Sequence, residues 1–255
     1  MRRASIIFLT LYVLLTIYPV ISLSVGSAPW HLLTPVATLA GFTFAFLHAG
    51  KREGWGRALC LLGLVFAVSL LFESVGVATG LIYGPYHYTN SLGPLFLGLV
   101  PYLIPVAWFM MSYPSFVIAD WLIPMDWKRW RRILCVATVG GLVMTAWDLV
   151  MDPIMVAGGH WVWDVHGAYY GIPLQNFWGW WLTVFTTFAL YLLVSGKASK
   201  PAEARFDRLA LASYLVTALG IVLISLITSA GELALIGFFA MTPWVVAGWL
   251  KTVNG

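Results

Sequence analysis

Asp126-Trp127-Lys128-Arg129-Trp130-Arg131-Arg132, followed by an apolar run over 133–147 and then by Asp148, Asp152 and Pro153, is the segment from which the fold is read. Cations and tryptophans anchor at a bilayer surface, and about 20 apolar residues suffice to cross it. The segment thus predicts one surface, one crossing, and acids where the crossing ends. The same grammar repeats in both directions. Arg2 and Arg3 open the chain; Lys51, Arg52 and Arg57 form a cluster; so do Lys197, Lys200, Arg205 and Arg208; Lys251 stands near the end. Each cluster is separated from the next by enough apolar sequence for two crossings, so all 14 Lys and Arg can share one side. That is the positive-inside pattern, and it predicts an all-α polytopic bundle in the cytoplasmic membrane with both termini cytoplasmic. Eight spans are expected near 5–25, 30–49, 58–82, 94–118, 133–152, 177–195, 209–230 and 233–250, the last interrupted by Pro243, within a single membrane domain over 1–255.

Composition agrees. Hydrophobic residues make up 61% of the chain and charged residues 9%, against roughly 25% charged in soluble domains, so no soluble domain is expected. The net charge of +4 belongs to the basic loops and suits anionic lipid headgroups, not nucleic acid. Cys60 and Cys135 lie in apolar stretches and read as small core residues. Arg2-Arg3, an apolar run and Gly26-Ser27-Ala28 also fit a signal peptide. The run over 6–23 exceeds an h-region of about 7–15 residues, so a retained helix is expected.

The opposite side holds Glu73, Asp148, Asp152, Asp164 and Glu232 with no cation, and acids at membrane depth mark function first. Glu73 is expected roughly 14 Å below the outer end of its helix. Asp148 and Asp152, four apart, share one helix face, and two carboxyls in a low-dielectric site do not both ionise, so one should keep its proton. Glu232 reads as favouring a helix N-terminus. Two outer loops, 83–90 and 153–176, are rich in aromatics and His and poor in charge, and are expected to fold over the helix ends as a lid. Glu73, His87 and Pro94 recur at one constant offset as Asp152, His166 and Pro173, which suggests a weak internal repeat. His31 and His48 read as interfacial. The histidines show no helical ligand spacing, so no metal site is expected. Tyr83, Tyr86, Tyr88, Trp163, Tyr169, Tyr170, Phe177 and Trp178 fall near the acids, and aromatic faces attract cations without reacting with them. Trp161, Trp180 and Trp181 read as interfacial belt residues. No nucleotide or nucleophile-elbow motif is present, so no cofactor is expected.

Tyr83-Gly84-Pro85-Tyr86-His87-Tyr88-Thr89, Pro105-Val106-Ala107-Trp108-Phe109-Met110-Met111, the stretch 148–153, Gly158-Gly159-His160-Trp161-Val162-Trp163 and Gly171-Ile172-Pro173-Leu174-Gln175-Asn176-Phe177-Trp178-Gly179-Trp180 together resemble the integral-membrane carotenoid hydratases. The resemblance covers about positions 70–195. It implies a cofactor-independent hydratase acting on an acyclic carotenoid end, adding water across a terminal isoprene double bond. Lipophilic carotenoid, water, membrane lipids and other pathway enzymes are the partners expected. Asp148 and Asp152 are then candidate proton donors, with Glu73 third. His87, His160, Asp164 and His166 are candidates for placing water. Gln175 and Asn176 would orient these groups, and Tyr83, Tyr86, Tyr88, Trp163 and Trp178 would line the cation. A transporter, a prenyltransferase-like enzyme of the same pathway and a non-catalytic carotenoid scaffold are the competing readings. Polarity expected at only one end counts against transport.

Overall fold

Each basic cluster sits at a helix end, because the chain turns back wherever its apolar length is used up. The computed structural model describes residues 2–195, 204–228 and 230–254; Lys197 and Lys200 lie outside them. Its helices are α1 (Arg2–Ser24), α2 (Leu33–Arg52), α3 (Trp55–Thr79), α4 (Leu103–Leu122), α5 (Arg129–Ala157), α6 (Leu174–Ser195), α7 (Ala204–Ile227) and α8 (Gly231–Asn254). All eight are long and apolar enough to cross a membrane, so the chain is an all-α multi-pass membrane protein. The strands are only two or three residues long: β1 (Tyr86–Tyr88), β2 (Leu95–Phe96), β3 (Val100–Pro101) and β4 (Trp161–Trp163). α5 packs on α4, α6 and α8; α4 also touches α2, α3 and α7; α1 leans on α2 and α7. Outward-facing Ile7, Leu14, Ile21, Leu193, Val194 and Phe239 are exposed, as a lipid-facing wall requires and a water-facing one would not tolerate in bulk. Cys60 and Cys135 are free thiols.

Three helix ends differ from expectation. α3 stops at Thr79 because Gly80 takes a left-handed φ of 71° as its cap. Glu73 is therefore six residues, about 9 Å, from the helix end, shallower than its apolar surroundings implied. α4 starts at Leu103 rather than near 94. Residues Leu95–Phe96 and Val100–Pro101 pair as an antiparallel hairpin, its tip bent by Leu97 (φ 52°) and Gly98 (φ 72°). Hydropathy scored that hairpin as helix. α5 runs on past Asp152 to Ala157 with Pro153 inside it. Proline has no N–H to give the carbonyl four residues back, and the Tyr169 hydroxyl donates to that carbonyl, Leu149 O, at 2.7 Å instead. Tyr169→Phe should cost about 1 kcal/mol, read as a lower melting temperature in detergent. α8 likewise continues through Pro243. The suggested repeat does not extend to architecture: Pro173 leads a helix, whereas Pro94 leads the β2–β3 hairpin.

Buried charge also occurs at the basic end, contrary to expectation. Arg52, Glu53, Asp120, Arg132 and Asp207 are buried there. Arg52 reaches Asp120 at 2.7 Å and Asp207 at 3.3 Å and also pairs with Glu53. Arg132 pairs with Asp120 at 2.5 Å. The network joins α2, α4, α5 and α7 at one point. His48, expected at the interface, is fully buried beside it. Its ring contacts Tyr113 Oη at 2.7 Å and Phe206 O at 2.8 Å, and stacks on Phe206 at 4.2 Å. About 24 Å of α5 separates Arg132 from Asp148. α5 carries no charged residue between them, and its buried side chains there include Val136, Ala137, Val143 and Met144, so the two charged ends are separate.

Candidate active site

Alternation along two short strands turns the outer loops into a flap. β1 pairs antiparallel with β4 in the register Tyr86↔Trp163, His87↔Val162, Tyr88↔Trp161. Successive strand side chains face opposite ways. Tyr86, Tyr88, Trp161 and Trp163 therefore point inward, while His87 and Val162 are exposed. The Thr89 N–H donates to His160 O and the Asp164 N–H to Pro85 O, extending the ladder at both ends.

The inward side chains are pinned to the acids. The Tyr86 and Tyr88 hydroxyls both donate to Glu73 Oε2, the latter at 2.9 Å, and Trp108 Nε1–H donates to Oε1 at 3.0 Å. Burial and the nearby Glu73 carboxylate push both tyrosine hydroxyls well above their ordinary value, so they remain donors. On the facing side, Trp161 Nε1–H donates to Asp152 Oδ1 at 2.7 Å. Asn176, in the first turn of α6, donates from one amide nitrogen to Asp148 Oδ2 at 2.9 Å and Asp152 Oδ2 at 2.7 Å. Two carboxyl acceptors on one side of the amide require its NH2 there. Asp148 Oδ1 is buried with no protein partner. Glu73, Asp148, Asp152 and Asn176 are all buried.

Between these groups lies a cavity of about 120 Å³ whose walls include Glu73, Asp152, Asn176, Tyr83, Tyr86, Tyr88, Trp108, Trp147, Trp161, Trp163 and Trp180. Trp108 and Trp180 stack at 4.2 Å, Trp147 meets Trp180 edge-on at 5.8 Å, and Tyr86 lies 5.0 Å from Trp163. Tyr83 fits only because two helices lack side chains beside it. A Cβ at Gly76 would stand 2.6 Å from its ring, and one at Gly179 would stand 2.5 Å from it. Its hydroxyl contacts Thr183 Oγ1 at 2.7 Å. Gly179→Ala should displace Tyr83 and loosen the flap, seen as faster hydrogen exchange over 83–89 with the rest of the bundle unchanged.

The candidates drawn from sequence fall in three places. Glu73, Asp152, Asn176, Tyr83, Tyr86, Tyr88 and Trp163 line the cavity. Asp148 stands behind Asn176, outside the lining. The remainder lie on the flap or beyond it. His87 Nδ1 pairs with Asp164 Oδ1 at 2.8 Å on the exposed rim, His166 is exposed, and His160 Nδ1 meets Ser91 Oγ at 2.8 Å. Gln175 is exposed and donates to the Gly80 and Leu81 carbonyls at the end of α3. Trp178 is exposed and stacks on Trp181 at 4.7 Å, on the far side of α6 from Trp180. Trp108, Trp147, Trp161 and Trp180 are cavity residues that sequence reasoning did not select: Trp161 and Trp180 read as belt residues, and Trp108 and Trp147 drew no role. Their sequence signals are the aromatic density around the acids and, for Trp108, Trp161 and Trp180, their place in the stretches that carry the resemblance.

Burial holds the His160 imidazole below its ordinary value of 6.5. The unfolded flap then binds more protons than the folded one as the pH falls, so this contribution is full above about 6.5 and fades below it. Backbone protection of Thr89, corrected for intrinsic exchange, should decline on acidification, and His160→Gln should remove the dependence.

The family described as carotenoid biosynthesis protein matches residues 33–243. Bisanhydrobacterioruberin hydratase of Haloarcula japonica is 34% identical over 128 residues, which cover 50% of this chain and 41% of that protein. The chain thus aligns with less than half of that relative's length. No solved structure matches. The family match runs from the start of α2 to Pro243 in α8 and takes in both walls of the cavity and its flap; the chain belongs to the carotenoid biosynthesis protein family.

Proposed function

We propose that this chain hydrates a terminal isoprene double bond of an acyclic carotenoid end, giving a tertiary alcohol. One observation carries the reading: two carboxyl centres, Glu73 and the Asp152–Asn176–Asp148 group, share one aromatic cavity, with no Lys or Arg in its lining. The relative's name supports the same class of reaction.

Asp152 is the proton donor, because it touches the cavity while Asp148 does not. Two carboxyls held by one amide share a proton more readily than they hold two charges. Asp148 Oδ1, buried without a donor, fits a pair that is not doubly ionised. The Asp152 proton passes to the less substituted olefin carbon, and the π pair forms the new C–H bond. Positive charge then develops on the tertiary carbon, facing Trp108, Trp163 and Trp180. Glu73, held by three donors, supplies the fixed negative charge that this cation needs. A water lone pair closes the C–O bond, and the surplus oxonium proton returns to the Asp152 carboxylate. The balance is one water added and no electron transferred. The lack of any charged residue on α5 between Arg132 and Asp148 favours chemistry at one end over passage through the bundle.

Expression in a host that accumulates acyclic carotenoids, followed by mass analysis, tests this. Pigments should gain one water per modified end. Unchanged pigment masses alongside well-expressed, membrane-inserted protein would remove the proposal.

A further inference from the structure

A second cavity of about 240 Å³ lies between α1, α2, α5 and α7. It shares Thr34, Thr38, Met110, Trp147, Met151 and Met155 with the acid-lined cavity, so the two adjoin across a wall that includes three flexible methionines. Farther from the acids its walls are Leu15, Ala37, Ile154, Ile221 and Ile224 among others. Four of its five hydroxyls are already engaged, that of Thr34 being the exception. Tyr12 Oη contacts Thr217 Oγ1 at 2.7 Å. Thr16, Thr38 and Thr217 donate to carbonyls of their own helices. No charged side chain lines it. A polar ligand would therefore find few free partners and lose most of its hydration. One side is sealed by close approach of α1 to α7: a Cβ at Gly220 would stand 2.2 Å from the Thr16 methyl. α1 is itself a mostly lipid-facing helix, so this space lies against the bilayer.

We propose that this groove seats the part of the carotenoid's polyene chain next to the reacting end, with Met110, Trp147, Met151 and Met155 as the passage that delivers the end to Asp152. This rests on the hydratase reading for the identity of the hydrocarbon, but not for its place. The occupant follows from adjacency: an apolar slot separated from an acid- and aromatic-lined end chamber only by methionine, tryptophan and threonine side chains fits a long hydrocarbon with one reactive terminus, once the methionines move aside. The rest of the chain then remains in lipid. Ala37 and Ile221 then determine how thick a chain is admitted.

Binding of an acyclic carotenoid to the detergent-solubilised full chain, followed by induced circular dichroism in the visible band, tests the groove without relying on turnover. Leu193→Ala, on the lipid-facing surface outside both cavities, should bind as wild type does, whereas Ala37→Phe should weaken binding at least tenfold. Ile221→Cys, folded first and then capped with a bulky alkyl disulfide, should lose binding and regain it on reduction. Cys60 and Cys135 line neither cavity, and the uncapped wild type treated alike is the control. The reversible block separates occlusion from misfolding. Equal binding by wild type, Ala37→Phe and capped Ile221→Cys would overturn the groove. Intact, groove-dependent binding without any hydrated product would instead overturn the hydratase reading and leave the groove standing.

Discussion

Asp152→Asn is expected to lower hydration by about 10²- to 10⁴-fold, the usual contribution of a positioned general acid, while leaving carotenoid bound. The substitution keeps the volume of the side chain and removes its acidic proton. An amide at this position has one acceptor oxygen where the carboxyl has two, so it cannot accept from both Trp161 and Asn176. A stability loss of about 1–3 kcal/mol should accompany the loss of rate, and a melting curve separates the two effects. Asp148→Asn should act less directly. Asp148 lies behind Asn176 and reaches substrate only by setting how the shared proton is held. Its signature should be a changed pH profile of turnover with carotenoid binding unchanged, which a purely structural role would not produce.

The second large effect lies at the other end of the bundle. Arg52→Ala should destabilise the fold by about 3–5 kcal/mol, because removing one member of a buried ionic group strands the rest. Arg52 contacts Glu53, Asp120 and Asp207, and all three are buried. Unfolding in detergent should begin at markedly lower temperature, and α7 should loosen from α2 and α4 first. Asp120→Asn should cost less, since Arg52 keeps Asp207 and Glu53. A melting curve for Arg52→Ala that overlays wild type would show that the network contributes little.

Much of this organisation was legible in the sequence because a bilayer imposes it. Basic clusters around runs of crossing length predict the spans, and the structure has eight. Tyr86-His87-Tyr88 and Trp161-Val162-Trp163 carry the alternation that makes the flap, and the acids that receive their donors stood out as charges without cations. What was not legible depended on contacts between distant segments. The hairpin over 95–101 is apolar enough to pass for helix, and only its turn geometry distinguishes it. Pro153 reads as a helix stop unless Tyr169 is known to fill the gap it leaves. Trp178 and Trp180 sit two apart in one aromatic run, yet a helix turns them to opposite faces, one toward lipid and one into the cavity. Arg52, Asp120, Arg132 and Asp207 each fall at a span end, where a charge ordinarily meets water, so nothing local reveals that they bury one another. His87, His160 and His166 drew notice as chemistry-bearing residues, but β1 and the turns on either side of β4 carry them on the flap, outside the cavity lining.

The central claim is that Asp152 protonates an olefin and water captures the resulting cation. The most direct measurement is single-product isotope analysis with purified full-length protein, an acyclic carotenoid and no added redox cofactor. In water labelled with both deuterium and heavy oxygen, the tertiary alcohol should carry one solvent oxygen and one deuterium on the adjacent carbon, and Asp152→Asn should lose both labels together. A product whose oxygen comes from dioxygen, or whose adjacent carbon gains no deuterium, would contradict acid-catalysed hydration at this site.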